Sequence, residues 1–159
     1  MELKRFNQLT EEELNKIIKE HYKHWSQYTS YLDLKTTEAK FKNIYTNVTS
    51  LQIGYALVID NEVVGFCVLK KENLIAYPDI TPWLSDVMIF KEYRNKGYGR
   101  LLIKSILEEC QNLNYKILYL WTDKAPAFYE KMGFIYKMDV LKNNNEGTGK
   151  LYYINVNQN

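Results

Sequence analysis

The stretch WLSDVMIFKEYRNKGYGRLLIKSILEEC, residues 83–110, decides the fold. Residues 83–90 are mostly apolar and rich in strand-forming side chains, which predicts a β-strand. Residues 101–110 carry apolar side chains at helical spacing, which predicts an amphipathic helix. Between them lies a basic turn with two glycines, residues 94–100. The stretch therefore predicts a strand that leads through a glycine-bearing turn into a helix.

The turn has the properties of an anion site. The first N–H groups of a helix have no partner inside the helix, and they lie at the positive end of its dipole. Such a position favours phosphate above other anions. Gly97 and Gly99 lack a Cβ, so the backbone can approach the anion closely. Three basic side chains add positive charge, although a solvated helix start would also explain them: Arg94, Lys96 and Arg100.

The spacing of the turn distinguishes between kinds of phosphate loop. It lacks the Walker pattern Gly-x-x-x-x-Gly-Lys-Ser/Thr. It also lacks the third glycine of the dinucleotide fingerprint, because Leu102 stands there. The pattern that fits is Arg-x-x-Gly-x-Gly, from Arg94 to Gly99. It resembles the acetyl-CoA pyrophosphate loop of the GNAT acyltransferase superfamily, although an ordinary strand–turn–helix junction would look similar.

A second segment resembles the same superfamily. Residues 116–121, KILYLW, predict another strand. Pro126 suits the first turn of a following helix, and Gly133 suits its C-terminal cap. Residues 127–134, AFYEKMGF, are similar to the GNAT segment Ala-x-x-Phe/Leu-Tyr-x-x-x-Gly-Phe. Two motifs in the family's order make the chain resemble a GNAT N-acetyltransferase.

The resemblance is clear from Thr81 to about Tyr136. In the part of the chain before Thr81, the resemblance holds only in outline. One departure is visible, because the stretch from Trp121 to Tyr129 is shorter than in many relatives. The resemblance implies an α/β fold with a mixed, mostly antiparallel sheet of about six to seven strands. It also implies about four flanking helices and a splay between the fourth and fifth strands.

The rest of the chain predicts elements in the order β-α-α-β-β-β-α-β-α-β-β, which is the GNAT order. Thr10 and Glu13 form a capping box at the start of the first helix. Residues 60–62, Asp-Asn-Glu, predict a tight hairpin turn. The remaining expected segments are strands at 2–6, 53–59, 63–69, 134–141 and 150–156, a second helix at 37–45, loops at 26–35 and 71–81, and a closing hairpin around 143–147.

Length and charge limit the class of protein. The 159 residues fit one domain, residues 1–159. The 21 basic and 19 acidic residues give a net charge of +2, which is too balanced to indicate nucleic acid or an anionic membrane as partner, so neither is expected. Cys67 and Cys110 lie in apolar segments and are expected to be buried, reduced thiols. Neither a membrane span nor a signal-peptide core is apparent, so the expected location is cytoplasmic.

The GNAT resemblance implies a set of cofactor-binding residues. The backbone of the fourth strand would lie against the pantetheine arm of acetyl-CoA, and the glycine turn would surround its pyrophosphate. Acetyl-CoA is the expected co-substrate, and no metal is expected. The residues are Val87, Met88, Ile89, Arg94, Asn95, Lys96, Gly97, Tyr98, Gly99 and Arg100.

Tyr129 falls on the family position for a general acid. Acetyl transfer to an amine expels the thiolate of CoA, which a nearby acid can protonate. A phenol has a reference pKa of about 10, so it is protonated at neutral pH and can donate. The alternative is an ordinary half-buried helix tyrosine, in a chain that contains 14 tyrosines.

The general base is less well defined by the sequence. Many relatives carry a glutamate at places that correspond here to Trp83 and Trp121, and neither can accept a proton. Asp86 on the fourth strand is the nearest carboxylate, and Asp123 follows the fifth strand. Strand alternation allows Asp86 to face the cleft or the opposite side. A chain of water molecules is an alternative to Asp86 as the base.

The first helix carries further candidate side chains. His21 and His24 have a spacing that can bind a metal, but no third ligand is evident, so a surface pair is expected. An aromatic wall with a carboxylate would suit a cationic amine, and ordinary helix packing is the alternative. The residues at this family position are Trp25, Tyr28, Tyr31 and Asp33.

The sequence thus predicts an N-acetyltransferase that transfers an acetyl group from acetyl-CoA to a primary amine. A small amine, such as a polyamine, amino sugar or amino acid, and a protein amino group both remain open as acceptors. The expected assembly is a monomer or a homodimer. The alternative is a non-catalytic acyl-CoA-binding sensor or interaction domain. A nucleic-acid-binding module would require a basic stripe with interleaved aromatics, which this chain lacks.

Overall fold

A computed structural model describes residues 1–29, 32–46 and 51–158. The chain separates into two compact units. Unit 1 contains Met1–Val68 and Asp86–Leu102, and unit 2 contains Leu69–Ser85 and Ile103–Asn159. The single domain over residues 1–159 therefore stays a prediction.

The described residues form seven strands and four α-helices in the expected order. The strands join in one sheet with the order β1-β2-β3-β4-β5-β7-β6. Most neighbouring strands for which a register is defined run antiparallel, and β4 and β5 form a parallel pair at Trp83 and Tyr119. This confirms the mixed α/β fold class. The elements are β1 (Glu2–Arg5), α1 (Glu11–Trp25), α2 (Leu34–Thr46), β2 (Gln52–Ile59), β3 (Glu62–Lys70), β4 (Trp83–Ile89), α3 (Tyr98–Asn112), β5 (Ile117–Thr122), α4 (Pro126–Lys131), β6 (Ile135–Leu141) and β7 (Thr148–Asn155).

Local sequence signals explain how the elements of unit 1 begin and turn. The Thr10 hydroxyl accepts from the Glu13 N–H, and the Glu13 carboxylate accepts from the Thr10 N–H, which confirms the capping box. Asp60 and Asn61 both have a positive φ, as a two-residue hairpin turn requires. The tight turn predicted between β2 and β3 is therefore confirmed at these two residues, whereas Glu62 already belongs to β3.

The second helix begins earlier than predicted. Helix α2 starts at Leu34 and not at Thr37, so residues 34 and 35 are helical and not part of a loop. The reason is the Asp33 side chain, which accepts a hydrogen bond of 2.7 Å from the Thr36 N–H. A carboxylate in this position satisfies one of the unpaired N–H groups of the first turn.

The core of unit 1 lies between the two N-terminal helices and strands β2 to β4. Helix α1 places Leu14, Ile17 and Ile18 against it. The rings of Phe41 and Phe66 meet edge to face in the same cluster, with their centroids 5.4 Å apart. The other buried members are Phe6, Leu9, Ile44, Ala56, Val58, Val63, Val68, Met88 and Phe90.

Unit 2 is built on the antiparallel neighbours of β7. Strand β5 pairs with β7 over Ile117–Thr122, and β6 pairs with the other edge of β7 with a register shift between Tyr136 and Met138. A core cluster contains Leu74, Trp83, Val140 and Leu151. No helix among the described residues has the length and apolar character that crossing a lipid bilayer requires.

Candidate active site

The glycine turn joins the end of β4 to the start of α3. A short 3-10 turn, Lys91–Tyr93, follows β4, and α3 begins at Tyr98. The Gly97 carbonyl accepts from the Leu101 N–H at 3.3 Å, so Gly97 caps the helix. Gly97 has a φ of 80°, and a Cβ there would meet nothing within 4 Å. The backbone conformation, and not a lack of space, is therefore what requires glycine at this position.

The polar groups of this turn face solvent near a helix start. The Arg94 Nε–H donates to the Ile89 carbonyl at 2.9 Å, which ties the turn to the end of β4. The Lys96 ammonium lies 5.8 Å from the centre of the Tyr93 ring. Arg94, Lys96 and Arg100 are all exposed. An exposed helix start with basic side chains is suited to bind an anion such as phosphate.

The strand segment before the turn is held closely by its neighbour β3. Met88 is buried, and Val87 and Ile89 are half-buried. A Cβ at Gly65 on β3 would lie only 2.6 Å from the Met88 carbonyl oxygen and 2.5 Å from the Ile89 Cδ1. The absence of a side chain at Gly65 therefore permits this approach of the two backbones.

Asp86 sits at an irregular point of β4 and pairs with two helices. Its φ is 54°, which is unusual inside a strand. Ser85, Asp86 and Val87 are all half-buried, so the usual alternation of buried and exposed side chains along a strand is interrupted. Its carboxylate lies 3.2 Å from His21 Nε2 on α1. The Lys40 Nζ on α2 lies 2.9 Å from each carboxylate oxygen. The carboxylate is therefore an anchored, charge-balanced group within unit 1.

The expectation that His21 and His24 form a surface pair is wrong for His21. The His21 residue is only 4% exposed, and its ring meets Phe41 edge to face at 4.9 Å. The sequence contained the signal, because position 21 continues the apolar stripe of Leu14, Ile17 and Ile18 at helical spacing. A histidine on such a stripe is buried with the stripe and needs a polar partner, which Asp86 provides.

The surroundings of His21 favour one tautomer. Nε2 faces the carboxylate, so the proton on Nε2 is the one that can be donated. Nδ1 is buried and has no hydrogen-bond partner among the described residues. A proton on Nδ1 would be a buried donor without an acceptor, which is costly. A hydrogen on Nε2, donated to Asp86, therefore fits this site.

The aromatic residues at the end of α1 pack on one another. The His24 ring meets Trp25 at 4.8 Å and Tyr28 at 5.6 Å. The Asp33 carboxylate accepts two hydrogen bonds from Thr36, which lower the pKa of Asp33. Tyr31, the fourth candidate for an acceptor wall, lies outside the described residues. An acceptor-binding role for this group stays a prediction.

Tyr129 lies on the short helix α4 in unit 2. Pro126 occupies the first turn of this helix, and Gly133 after it has a φ of 97°, so the predicted start and stop signals are confirmed. The Tyr129 side chain is half-buried, and its ring meets Phe134 edge to face at 5.8 Å. Glu130, the next residue, accepts a hydrogen bond from the Tyr152 hydroxyl. The helix that carries Tyr129 is thereby tied to β7.

The other candidate positions have structural partners within unit 2. Trp83 is fully buried, and its Nε1–H donates to the Ile80 carbonyl at 2.7 Å. Asp123 forms an ion pair with Lys142, whose ammonium also lies 5.7 Å from the centre of the Trp121 ring. These contacts account for Trp83 and Trp121 as packing residues, and they give Asp123 a cationic partner.

Two further expectations concern cysteines and metals. Cys67 and Cys110 are buried and outside any disulfide, as predicted. Burial raises the pKa of the Cys110 thiol to about 12, and the nearby charge of Glu109 adds to the shift. Over the described ranges 1–29, 32–46 and 51–158, no three His, Cys, Asp or Glu residues are grouped so that they could hold a metal ion.

Comparison with known proteins decides the family. The acetyltransferase (GNAT) family matches residues 12–134. This chain belongs to the GNAT family. A curated relative, the uncharacterized N-acetyltransferase CgeE of Bacillus subtilis (strain 168), is 35% identical over 66 residues. That match covers 40% of this chain and only 26% of the relative's length.

Solved GNAT structures share the fold. The crystal structure of an aminoglycoside 6'-N-acetyltransferase complexed with coenzyme A matches with a TM-score of 0.79 and 14% identity, over 98% of this chain and 97% of that one. A provisionally assigned streptothricin acetyltransferase of Bacillus anthracis strain Ames, in complex with acetyl coenzyme A, has a TM-score of 0.56 and 25% identity. That match covers 68% of this chain and 64% of the other. Both of these structures hold the coenzyme.

Proposed function

We propose that this GNAT protein is an N-acetyltransferase that transfers an acetyl group from acetyl-CoA to a primary amine. The observation that carries the proposal is the turn between β4 and α3. It combines a glycine with positive φ, a helix start and three exposed basic side chains. A fold shared with coenzyme-bound structures supports the same conclusion.

In this proposal the cofactor-binding residues all lie in unit 1. The backbone N–H groups of Tyr98, Gly99 and Arg100 would donate to the pyrophosphate, because a helix start has no internal acceptors for them. Arg94 and Lys96 would add charge at the exposed rim. The backbone of Val87, Met88 and Ile89 would run beside the pantetheine arm.

The proposed reaction is direct attack by the acceptor amine. The amine nitrogen bonds to the thioester carbonyl carbon, and collapse of the tetrahedral intermediate breaks the C–S bond. The cationic nitrogen of the intermediate releases its extra proton to solvent, and the thiolate of CoA takes a proton from the Tyr129 hydroxyl. The Tyr129 phenolate regains a proton from solvent, so Tyr129 acts as the general acid. The half-buried position of this side chain on an anchored helix supports a donor held in one orientation.

Asp86 is the proposed proton acceptor for the amine, directly or through water. An alkylamine is almost wholly protonated at neutral pH, so its proton must be removed before attack. The carboxylate is held by His21 and paired with Lys40. A chain of water molecules is the alternative proton acceptor.

The first test concerns the cofactor. Gly99 is buried in the first turn of α3. Gly99→Glu would place a bulky anion where the phosphate is proposed to bind, so acetyl-CoA binding measured by titration calorimetry should disappear. Unchanged affinity would contradict the proposal. Lys104→Glu, five residues further along the same helix, introduces the same side chain away from the turn and serves as the control.

The second test concerns turnover. An acceptor screen with amino sugars, polyamines, amino acids and peptide amines should detect release of free CoA thiol with at least one of them. Acetyl-CoA binding without thiol release from any acceptor would favour the alternative, a non-catalytic acyl-CoA sensor. The acceptor, a monomeric or homodimeric state and a cytoplasmic location remain predictions.

A further inference from the structure

The ion pair between Lys40 and Asp86 is chemically an alkylammonium bound to a carboxylate. The same contact would form if a primary amine acceptor approached Asp86 in its protonated state. The Lys40 Nζ lies 2.9 Å from both carboxylate oxygens of Asp86, so the ammonium contacts the two oxygens equally. Lys40 therefore carries the same functional group, a primary alkylamine, as the acceptors named in the proposed function.

Exposure within the cluster shows which partner is fixed and which is accessible. The side-chain exposure is 5% for His21, 11% for Asp86 and 31% for Lys40. His21 thus holds the carboxylate from the buried side, where its ring is surrounded by Phe41 and Phe66. Lys40 is the more exposed of the two partners. A ligand that reaches Asp86 from solvent would meet the Lys40 ammonium first.

We infer that Lys40 is a built-in competitor for the acceptor, and that a protonated primary amine binds Asp86 by displacing the Lys40 ammonium. This inference rests on the proposed function, because it concerns the same acceptor. It makes Lys40 a residue that determines specificity, and it assigns to Asp86 the role of anchor for a cationic primary amine.

The physical basis is an exchange of equal charges. Removing a partner from a half-buried carboxylate is costly when nothing replaces it. One ammonium replacing another leaves the charge balance unchanged, so the exchange avoids this cost. A neutral alcohol of the same shape would leave the carboxylate without a cation. The competition therefore selects cationic amines over neutral analogues.

A tethered competitor also weakens the apparent affinity of every acceptor. The apparent dissociation constant is the intrinsic one divided by the fraction of protein in which the site is open. Lys40 is attached to α2 and is always present near Asp86. Removing its ammonium should strengthen binding of a cationic amine by about tenfold or more, if the pair is formed in at least nine molecules of ten.

The test uses n-butylammonium, which has the head group and stem of a lysine side chain. Binding is followed by NMR of the imidazole nuclei. The chain has two histidines, and both lie on α1. His21 contacts Asp86 and should shift on binding, whereas His24 packs on Trp25 and Tyr28 and provides an internal reference. The probe is used with acetyl-CoA absent and at neutral pH.

The variants separate charge from packing. Lys40→Met removes the ammonium and keeps an unbranched side chain, so n-butylammonium should bind about tenfold more tightly and shift His21. Lys40→Arg keeps the charge and should bind no more tightly than the wild type. Lys42→Met removes an exposed lysine from the same helix and should have no effect. The neutral analogue n-butanol should shift His21 in none of them.

Two results would overturn the inference. One is equal affinity of Lys40→Met and the wild type for n-butylammonium, and the other is an equal response to n-butanol. If Lys40→Met does not fold, the wild type with 13C-labelled lysine provides the test. Saturating n-butylammonium should then change the Lys40 Cε signal, and an unchanged signal would overturn the inference.

Acetyl-CoA calorimetry on the same samples separates this inference from the proposed function. If acetyl-CoA binds and n-butylammonium does not act through Asp86, the competitor role of Lys40 fails while the proposed function stands. If acetyl-CoA does not bind to the wild type, the proposed function fails whatever the amine does.

Discussion

Gly65 on β3 and Met88 on β4 approach so closely that no side chain fits between them. A Cβ on Gly65 would lie 2.6 Å from the Met88 carbonyl oxygen, and real Cβ atoms essentially never come that close to another heavy atom. The contacted atom is backbone, so it cannot move by changing a rotamer. The position of the strand proposed to carry the pantetheine arm therefore depends on a glycine in the neighbouring strand.

This contact predicts the effect of Gly65→Ala. The added methyl should push β4 away, lower stability by about 1–3 kcal/mol and weaken acetyl-CoA binding in the protein that remains folded. Urea unfolding and calorimetry measure the two effects. Gly54→Ala is the matched control, because the three atoms nearest its Cβ all belong to the Phe6 ring, at 2.5 to 2.7 Å. An equal loss of cofactor affinity in both variants would contradict the prediction.

The glycine turn predicts a difference between two exposed glycines. Gly97 has a φ of 80° and Gly147 a φ of 98°, and neither has a heavy atom within 4 Å of an added Cβ. Alanine at either position should cost about 1–2 kcal/mol, because an L-residue is strained there. Only Gly97→Ala should weaken acetyl-CoA binding as well. Calorimetry on both variants checks this, and equal affinities would remove Gly97 from the proposed phosphate site.

Tyr129→Phe tests the proposed general acid. The substitution keeps the ring that packs on Phe134 and removes the hydroxyl. Turnover with a responsive acceptor should fall by about 10²- to 10⁴-fold, while acetyl-CoA affinity changes little. Tyr136→Phe, at an exposed position on β6, is the control and should retain its rate. A rate equal to the wild type in Tyr129→Phe would leave Tyr129 as a packing residue.

Asp86→Asn tests the proposed base through its pH dependence. The amide keeps the size of the side chain and cannot accept the amine proton. The rate should therefore fall at neutral pH and recover towards high pH, where the amine loses its proton without help. The measurement is a pH–rate profile of both forms. Parallel profiles of equal height would exclude Asp86 from proton transfer.

Tyr152 predicts a loss of stability at alkaline pH. The hydrogen bond from its hydroxyl to Glu130 at 2.7 Å, together with burial, raises the pKa of Tyr152 from 10.0 to about 12. The unfolded chain releases this proton at lower pH than the folded protein. The stabilisation is therefore complete below pH 10 and is lost as the pH rises through about 12.

The check is urea unfolding of wild type and Tyr152→Phe at several pH values. The difference in unfolding free energy should be constant below pH 10.0 and shrink as the pH approaches 12. Glu130→Gln removes the charged acceptor and should weaken this pH dependence. A difference that is independent of pH up to about 12 would show that the hydroxyl proton does not contribute.

Local signals in the sequence predicted most of the fold. The capping box of Thr10 and Glu13, the Asp60–Asn61 turn and Pro126 at the start of α4 are each formed by residues close in sequence. Such features depend on backbone geometry and on hydrogen bonds that span three or four residues. The early start of α2 departs from the prediction because the Asp33 carboxylate caps the helix.

In the candidate site, too, features formed by residues close in sequence were predictable and contacts between distant residues were not. The glycine turn was predictable because its function depends on a local strand–turn–helix sequence. The partners of Asp86 were not, because His21 and Lys40 are 65 and 46 residues away along the chain. Helical periodicity placed position 21 on the apolar stripe of α1, but it could not name the carboxylate that the buried imidazole would meet.

The sequence by itself therefore determined the order of the elements, the turn chemistry and the family, because these depend on neighbouring residues. The tertiary structure alone decided that Asp86 is held by an imidazole from α1 and covered by an ammonium from α2. Side chains far apart in sequence meet only after helices pack on the sheet, and the burial of each one then decides which partners it needs.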